Sequence, residues 1–434
     1  MSVQDSAFRP RQAWTIAFLL AFMMLVNFLD KVVIGLVGVP MTQELNLSPT
    51  EFGLIGGALH WLFAISAVVG GFLANRRPTR SLLLGMGLFW ALIQLPMLFA
   101  NSLWMIVACR VLLGIGEGPA SPVATHALYK WFPDDRRSLP VALLHSGSAM
   151  GLLVAGAMIP WISLNYGWRT NFAVLAVIGL VWCGLWLLLG REGTLDTLRR
   201  GQPNAAQNEP RVPYRRLLSD SSVLGNYACH FAANWSLALT LTWVPSYLEI
   251  GLGIDPLKTG HMFVMFVVVT TPLSLLMAWL SQRLMRRGVS SRLARGAFVS
   301  LCLIAGGLFS SALMLTDLSV TTRIIALTLS GGLALVMYSV GPAMLAEFTP
   351  SSQRGGILAI GNAVASLAGL SAPVVTGLLV HGAGAGHPQG YAQGFFVCGG
   401  VMIVAGLIGL VTMNPQRSRE RLAQEEMSGA CSRA

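Results

Sequence analysis

From Trp14 to Met413 the chain is a succession of apolar runs, each about as long as the roughly 20 residues a helix needs to cross about 30 Å of hydrocarbon. No water-soluble fold has an interior large enough to hide them all, so lipid has to be the solvent. Backbone N–H and C=O groups cannot go unpaired in lipid, so each run must close its hydrogen bonds internally as a helix. The runs fall near 14–36, 52–74, 81–100, 104–129, 139–164, 170–190, 222–248, 259–282, 293–315, 322–346, 355–381 and 391–413. The expected fold is therefore an all-α membrane protein with twelve transmembrane helices. The first run carries no small-residue cleavage site and is followed by Asp30 and Lys31, so it is read as a retained span rather than a signal peptide.

The net charge of +11 could point to nucleic acid, but its placement points to the bilayer. Short cytoplasmic loops concentrate Lys and Arg. With twelve spans, 24 of the 29 basic residues fall on one face, from Arg9 and Arg11 through Arg76, Arg77, Arg80, Lys130, Arg136 and Arg137 to the tail. Arg169, Lys258 and Arg323 fall on the other. An odd number of spans would scramble this partition. Both termini are therefore expected to be cytoplasmic, in a multi-pass protein of the cell inner membrane with no nucleic-acid partner.

The polar interval 191–221, with Pro203, Pro210 and Pro213, reads as a cytoplasmic linker between halves at 1–190 and 222–413, followed by a tail at 414–434. The halves echo each other. Gly70-Gly71-Phe72-Leu73-Ala74-Asn75-Arg76-Arg77 at the end of the second run is matched by Ala278-Trp279-Leu280-Ser281-Gln282-Arg283 at the end of the eighth. Trp131-Phe132-Pro133 after the fourth is matched by Phe348-Thr349-Pro350 after the tenth. Two pseudo-symmetric six-helix halves are a transporter's way of building two rocking bodies around a midplane site. The six cysteines stand singly, without metal-ligand spacing, and are read as packing residues. No Ser/His/Asp set or phosphate-binding loop supports catalysis, and no metal or cofactor is expected.

Ionisable residues inside a membrane are expensive and mark function by default. Of 18 acidic residues, only Asp30 and Glu117 lie well within runs, and among the basic residues only Lys31 and Arg110 do. Arg110 and Glu117 are seven residues apart, which on a helix puts them on nearly one face about 10 Å apart. Two readings stay open. The four charges could simply pair as buried ion pairs that hold helices in register. Alternatively, Arg110 binds an anionic group through its permanently charged planar fork while the carboxylates take up and release a proton. Gly114-Ile115-Gly116-Glu117-Gly118-Pro119 permits close helix approach and a bend beside these charges. Of the intramembrane histidines, His145 and His230 sit deeper than His60 and His126 and are the better candidates for a proton relay, although hydrogen bonding to a neighbouring helix is the commoner role.

Asn27-Phe28-Leu29-Asp30-Lys31, the run Arg110 to Pro119, Trp131-Phe132-Pro133, His145-Ser146-Gly147-Ser148, Gly167-Trp168-Arg169, Thr242-Trp243-Val244-Pro245-Ser246-Tyr247-Leu248 and Gly361-Asn362 together resemble the major facilitator superfamily. Within it they resemble the anion:cation symporter family of bacterial hexonate and other organic-acid transporters and animal sialin. The resemblance implies that Arg110 binds the substrate carboxylate, that Asp30 and Glu117 are the protonation sites, and that Asn362 contributes polar contacts from the second half. The chain departs from the family where Lys31 replaces an arginine, where Phe28 and Phe63 replace tyrosines, and where Asn75 and Gln282 replace loop aspartates. Losing two phenols removes hydrogen bonds that a sugar acid would need, so the expected cargo is smaller or more apolar: an aromatic or dicarboxylic acid, a lactone acid or a short sulfonated carboxylate. Lys31 and Arg110 together would suit a cargo with two anionic ends. The expected function is proton-coupled uptake of a small organic anion by a single chain; the alternative is a proton-coupled antiporter exporting drugs or metabolites, which leaves Arg110 and Lys31 without a ready role.

Overall fold

The computed structural model describes residues 9–133, 136–193, 212–350, 353–384 and 387–421. Most of the linker and the tail beyond Arg421, with Cys431, lie outside them. Among the described residues, eleven helices are long and apolar enough to cross a membrane, from Pro10–Leu36 to Pro388–Thr412. The twelfth, Ser221–Thr242, has 22 residues but is diluted by Asn226, His230, Asn234 and several hydroxyl residues. The twelve expected spans are all present. Two compact units result: one gathers the described residues up to 193 with Leu241–Val267, Gly384 and His387; the other gathers 212–240, 268–383 and 388–421.

Glycine decides how closely the helices approach. In the first unit the fifth span, Ser138–Tyr166, crosses the first through Gly147 and Gly151. A Cβ on either would sit 2.1 Å from the Ala21 carbonyl oxygen or 2.5 Å from that of Leu25. This is the small-xxx-small contact by which helices associate in lipid. The third span, Thr79–Gln94, meets the sixth, Thr170–Leu189, where Gly87 leaves room for Trp182. Trp182 stacks on Trp186 with centroids 5.3 Å apart, and their indole N–H groups donate to the carbonyls of Leu19 at 2.8 Å and Arg80 at 2.9 Å.

The second unit repeats these pairings with different chemistry. The seventh span binds the eleventh, Arg354–Gly382, by hydrogen bonds from Tyr227 to the Ile357 carbonyl at 2.6 Å and from Asn234 to that of Ala365 at 2.7 Å. The ninth, built around Phe298–Ser311, packs on the twelfth through Gly307 and Gly399, each lying 2.5 to 2.6 Å from the other's carbonyl oxygen if given a Cβ. The halves thus share first-with-fifth and third-with-sixth contacts. Five cysteines are buried within this packing.

Several spans are broken. The second runs as Pro49–Ala58 and Phe63–Arg76, and the fourth as Leu103–Glu117 and Ala120–Tyr129. The tenth breaks at Val336, and the seventh continues past Trp243 into a π-turn at Tyr247–Gly251. Gly118-Pro119 explains the fourth-span break, because proline cannot donate the next helical hydrogen bond. The second-span break contains no glycine or proline. It is held from outside: a Cβ on Gly114 would lie 1.9 Å from the Leu59 carbonyl oxygen, and Ser66 donates to the Gly114 carbonyl at 3.3 Å. Broken backbone survives at membrane depth where it is buried in protein or lines a water-filled cavity.

Two clasps fix the ends of the first unit. On the basic face the third span has no side-chain cap of its own. Glu192 supplies one from beyond the sixth span, accepting from the Thr79 N–H at 3.2 Å, the Arg80 N–H at 2.9 Å, the Thr79 hydroxyl at 2.9 Å and the Lys130 ammonium at 2.7 Å. A carboxylate there satisfies orphan donors and opposes the positive end of the helix dipole. On the opposite face Glu44 pairs with Arg169 and accepts from the Trp168 indole at 2.7 Å, while Arg169 also donates to the Ala100 carbonyl at 2.8 Å and the Asn101 amide oxygen at 3.0 Å.

Candidate functional site

The first unit brings Asp30, Lys31, Arg110 and Glu117 into one buried neighbourhood. Asp30 is 1% exposed, Glu117 1% and Arg110 4%. The first helix presents Asp30 and Lys31, and the fourth presents Arg110 and Glu117 just ahead of its break. The second-span break adds His60 and Phe63. Glu117, Arg110, Gln94 and Lys31 all act on the Asp30 carboxyl, which sits beside them.

Proximity has produced one loose ion pair and no hydrogen-bonded one. Among the described residues the cluster holds one ion pair, Lys31 with Glu117, and its 3.9 Å separation is too long for a hydrogen bond. Both Glu117 oxygens accept no hydrogen bond, nor does Asp30 Oδ1. Among the described residues Arg110 has no carboxylate within ion-pair distance. Its Nη1 donates to the Asp30 backbone carbonyl at 3.0 Å, and its buried Nε–H has no partner. A wholly self-neutralised knot of charges would look different.

Lys31 is held by neutral groups. Its ammonium donates to the Asn27 amide oxygen at 2.8 Å and lies 4.6 Å from the Phe28 ring centroid and 5.3 Å from that of Phe63. Its side chain is 16% exposed against 0% for Glu117, so it is the more reachable end of the pair. Three departures from the family's residues, Lys31, Phe28 and Phe63, therefore form one constellation.

The histidines rank differently in the structure than by depth. His60 lies close enough for Lys31 and Arg110 to act on it, with its ring 5.7 Å from Phe63 and its Nδ1 buried without a partner. His145 is exposed on the fifth span. His230 is buried in the second unit, edge-on to Tyr338 at 5.2 Å. Tyr338 in turn donates to the Asn234 amide oxygen at 2.8 Å. Asn362, also of the second unit, is exposed on the eleventh span, next to Gly361, which packs on Tyr227. The sequence names Asn27 only as part of the first-helix motif and does not single out Gln94, Asn234 or Tyr338, each a neutral polar residue in an apolar run.

The model of the Major Facilitator Superfamily matches residues 20–320, more than half of the chain. The chain belongs to the Major Facilitator Superfamily. It is thus a multi-pass membrane transporter by family. Curated superfamily relatives include a hexuronate transporter of Bacillus subtilis, 25% identical over 88% of this chain and 90% of the relative. A D-galactonate transporter of Escherichia coli is 25% identical over 88% and 93%. A probable sulfoacetate transporter of Cupriavidus necator is 28% identical over 91% and 92%. Solved structures with the same fold include a bacterial homologue of the human lysosomal transporter spinster, with TM-score 0.76, 16% identity and 95% and 98% of the two chains covered. A D-xylose-proton symporter superimposes with TM-score 0.74, 16% identity and 93% and 99% coverage.

Proposed function

We propose that this transporter imports a small organic anion together with protons, by alternating access, across the inner membrane. The observation that carries the reading is Arg110: a buried guanidinium with no carboxylate within ion-pair distance, although two carboxyl groups share its neighbourhood. Neighbouring carboxyls balance its charge from a distance, but its buried Nε–H has no partner, and a buried donor left unpaired is costly, so the guanidinium can donate to an anion's oxygens directly. The names of the relatives support this, since hexuronate, galactonate and sulfoacetate are all organic anions.

The charge count supplies the coupling. With Asp30 and Glu117 ionised and Lys31 and Arg110 charged, the cluster is formally neutral. A bound anion adds negative charge to it, and protonating one carboxyl for each negative charge of the cargo restores neutrality. Entry of anion and proton together then avoids the cost of leaving a net charge in low dielectric. Glu117, with neither oxygen hydrogen-bonded, and Asp30, with one oxygen free, are the groups assigned to carry the protons.

Proteoliposomes test this directly. Glu117→Gln is expected to retain anion binding and anion–anion exchange but to lose accumulation driven by a pH gradient. Accumulation at the parent level in that variant would remove Glu117 from the coupling, and the same assay applies to Asp30→Asn.

A further inference from the structure

Lys31 and its aromatic seat narrow the cargo beyond an organic anion. An ammonium has three donors. One of them is taken up by Asn27 at 2.8 Å, and the carboxylate oxygen at 3.9 Å is out of hydrogen-bond range. The two ring faces at 4.6 and 5.3 Å stabilise the positive charge without providing a conventional acceptor. Lys31 is thus fixed in place yet keeps donor capacity, and it is the more exposed member of its ion pair.

The second cation is tied to the same turn of helix. Arg110 is anchored on the Asp30 carbonyl, one residue before Lys31, and its Nε–H is unspent. Two cations in one neighbourhood, each with donors left over and neither closely paired, exceed what one carboxylate of a cargo requires. The seat also limits the rest of the cargo. Each hydroxyl that loses water needs a replacement partner, and the Phe28 and Phe63 rings offer none and are already engaged by the ammonium. We infer that the site selects a short, hydroxyl-free dianion, a dicarboxylate or a sulfonated carboxylate, with one anionic group on Arg110 and the other on Lys31, and that Phe28 and Phe63 are specificity-determining residues because they position Lys31.

This rests on the anion-transport reading, and one binding experiment separates the two. The purified full-length protein would be titrated at neutral pH with sulfoacetate and malonate as dianions, methanesulfonate and acetate as matched monoanions, and gluconate as a hydroxylated monoanion, with binding read by calorimetry and thermal shift. The parent is expected to bind the dianions at least about tenfold more tightly than the matched monoanions, with gluconate among the weak ligands. Lys31→Met is expected to bring the dianions down to the monoanion level while monoanion binding persists through Arg110. Phe28→Tyr with Phe63→Tyr is expected to narrow the gap between dianion and gluconate. The dianion inference is overturned if the parent binds monoanions as tightly as dianions, a result that needs no variant to fold, or if Lys31→Met keeps the preference. If no organic anion binds the parent at all, the anion-transport reading falls instead.

Discussion

Arg110 and Lys31 carry the same formal charge in different surroundings, and the difference predicts how each responds to substitution. Arg110 is anchored through one nitrogen to a backbone carbonyl and presents a planar fork that a lysine cannot reproduce. Arg110→Ala is expected to abolish measurable anion binding, an affinity loss of at least about tenfold, and Arg110→Lys to recover it only in part, because bidentate geometry is lost. Titration of the purified variants checks this, and Arg110→Ala binding at the parent affinity would remove the residue from the site. Lys31, cradled by Asn27, Phe28 and Phe63, is a point charge that tolerates a wider range of anion geometries. The charged residues of this cluster were legible in the sequence because lipid makes every charge conspicuous. Gln94 was not, since a neutral amide in an apolar run carries no comparable penalty, and Asn27, visible as part of a motif, gains its role only from the Lys31 ammonium beside it. His60 was ranked low for a related reason: depth along a helix can be counted from sequence, but the second-span break that brings this histidine near Lys31 and Arg110 cannot.

At the scale of the helix, the fourth span shows what spacing and composition can and cannot foretell. Its glycines and Pro119 announced a bend beside Glu117, and the helix does stop at Glu117 and resume at Ala120. The second-span break carried no such announcement. It depends on the Leu59 carbonyl lying where a side chain at Gly114 would be, so the information resides in a contact between two helices rather than in either alone. Gly114→Ala tests this. A methyl group 1.9 Å from a backbone oxygen must push the helices apart, and overpacking of this kind costs about 1–3 kcal/mol. Gly184→Ala is the matched control on the sixth span, where a Cβ would meet nothing within 4 Å and the better helix former replaces glycine. A lowered melting temperature is expected for Gly114→Ala and an unchanged or slightly raised one for Gly184→Ala. Equal melting temperatures would mean that the second-span break does not depend on close approach at Gly114. Loss of transport in Gly114→Ala is expected to exceed what its stability loss explains, because the break positions His60 and Phe63.

For the molecule as a whole, the two clasps of the first unit set its behaviour toward acid. The Glu44 carboxyl is held below its ordinary value by hydrogen bonds from Arg169 and Trp168, which outweigh slight burial, with the Arg169 charge adding to them. For Glu192 burial pushes the value up, but the Lys130 hydrogen bond, the Arg80 N–H, the Thr79 hydroxyl and the Lys130 charge outweigh it and leave the carboxyl below its ordinary value. A carboxyl that is more acidic folded than unfolded stabilises the fold at every pH above its unfolded value, and that contribution disappears as pH falls through the lower, folded value. Both clasps should therefore hold throughout the neutral and mildly acidic range and fail only below the ordinary glutamate value of about 4.5. Glu192 caps a helix whose N-terminus has no other side-chain cap, so Glu192→Ala is expected to lower stability by about 1 kcal/mol at pH 7, as cap removal does elsewhere. Glu44 is half exposed and should contribute less. The two sites lie on opposite faces of the first unit and share no partner, so their effects should add. Melting temperatures measured from pH 7 to pH 3 decide the matter: the parent is expected to lose stability steeply below about pH 4.5, and the Glu44→Ala, Glu192→Ala double variant to start lower at pH 7 and fall less over the same interval. Parallel curves for the two proteins would mean that neither clasp is linked to the acid transition, and that carboxyls elsewhere in the chain govern it.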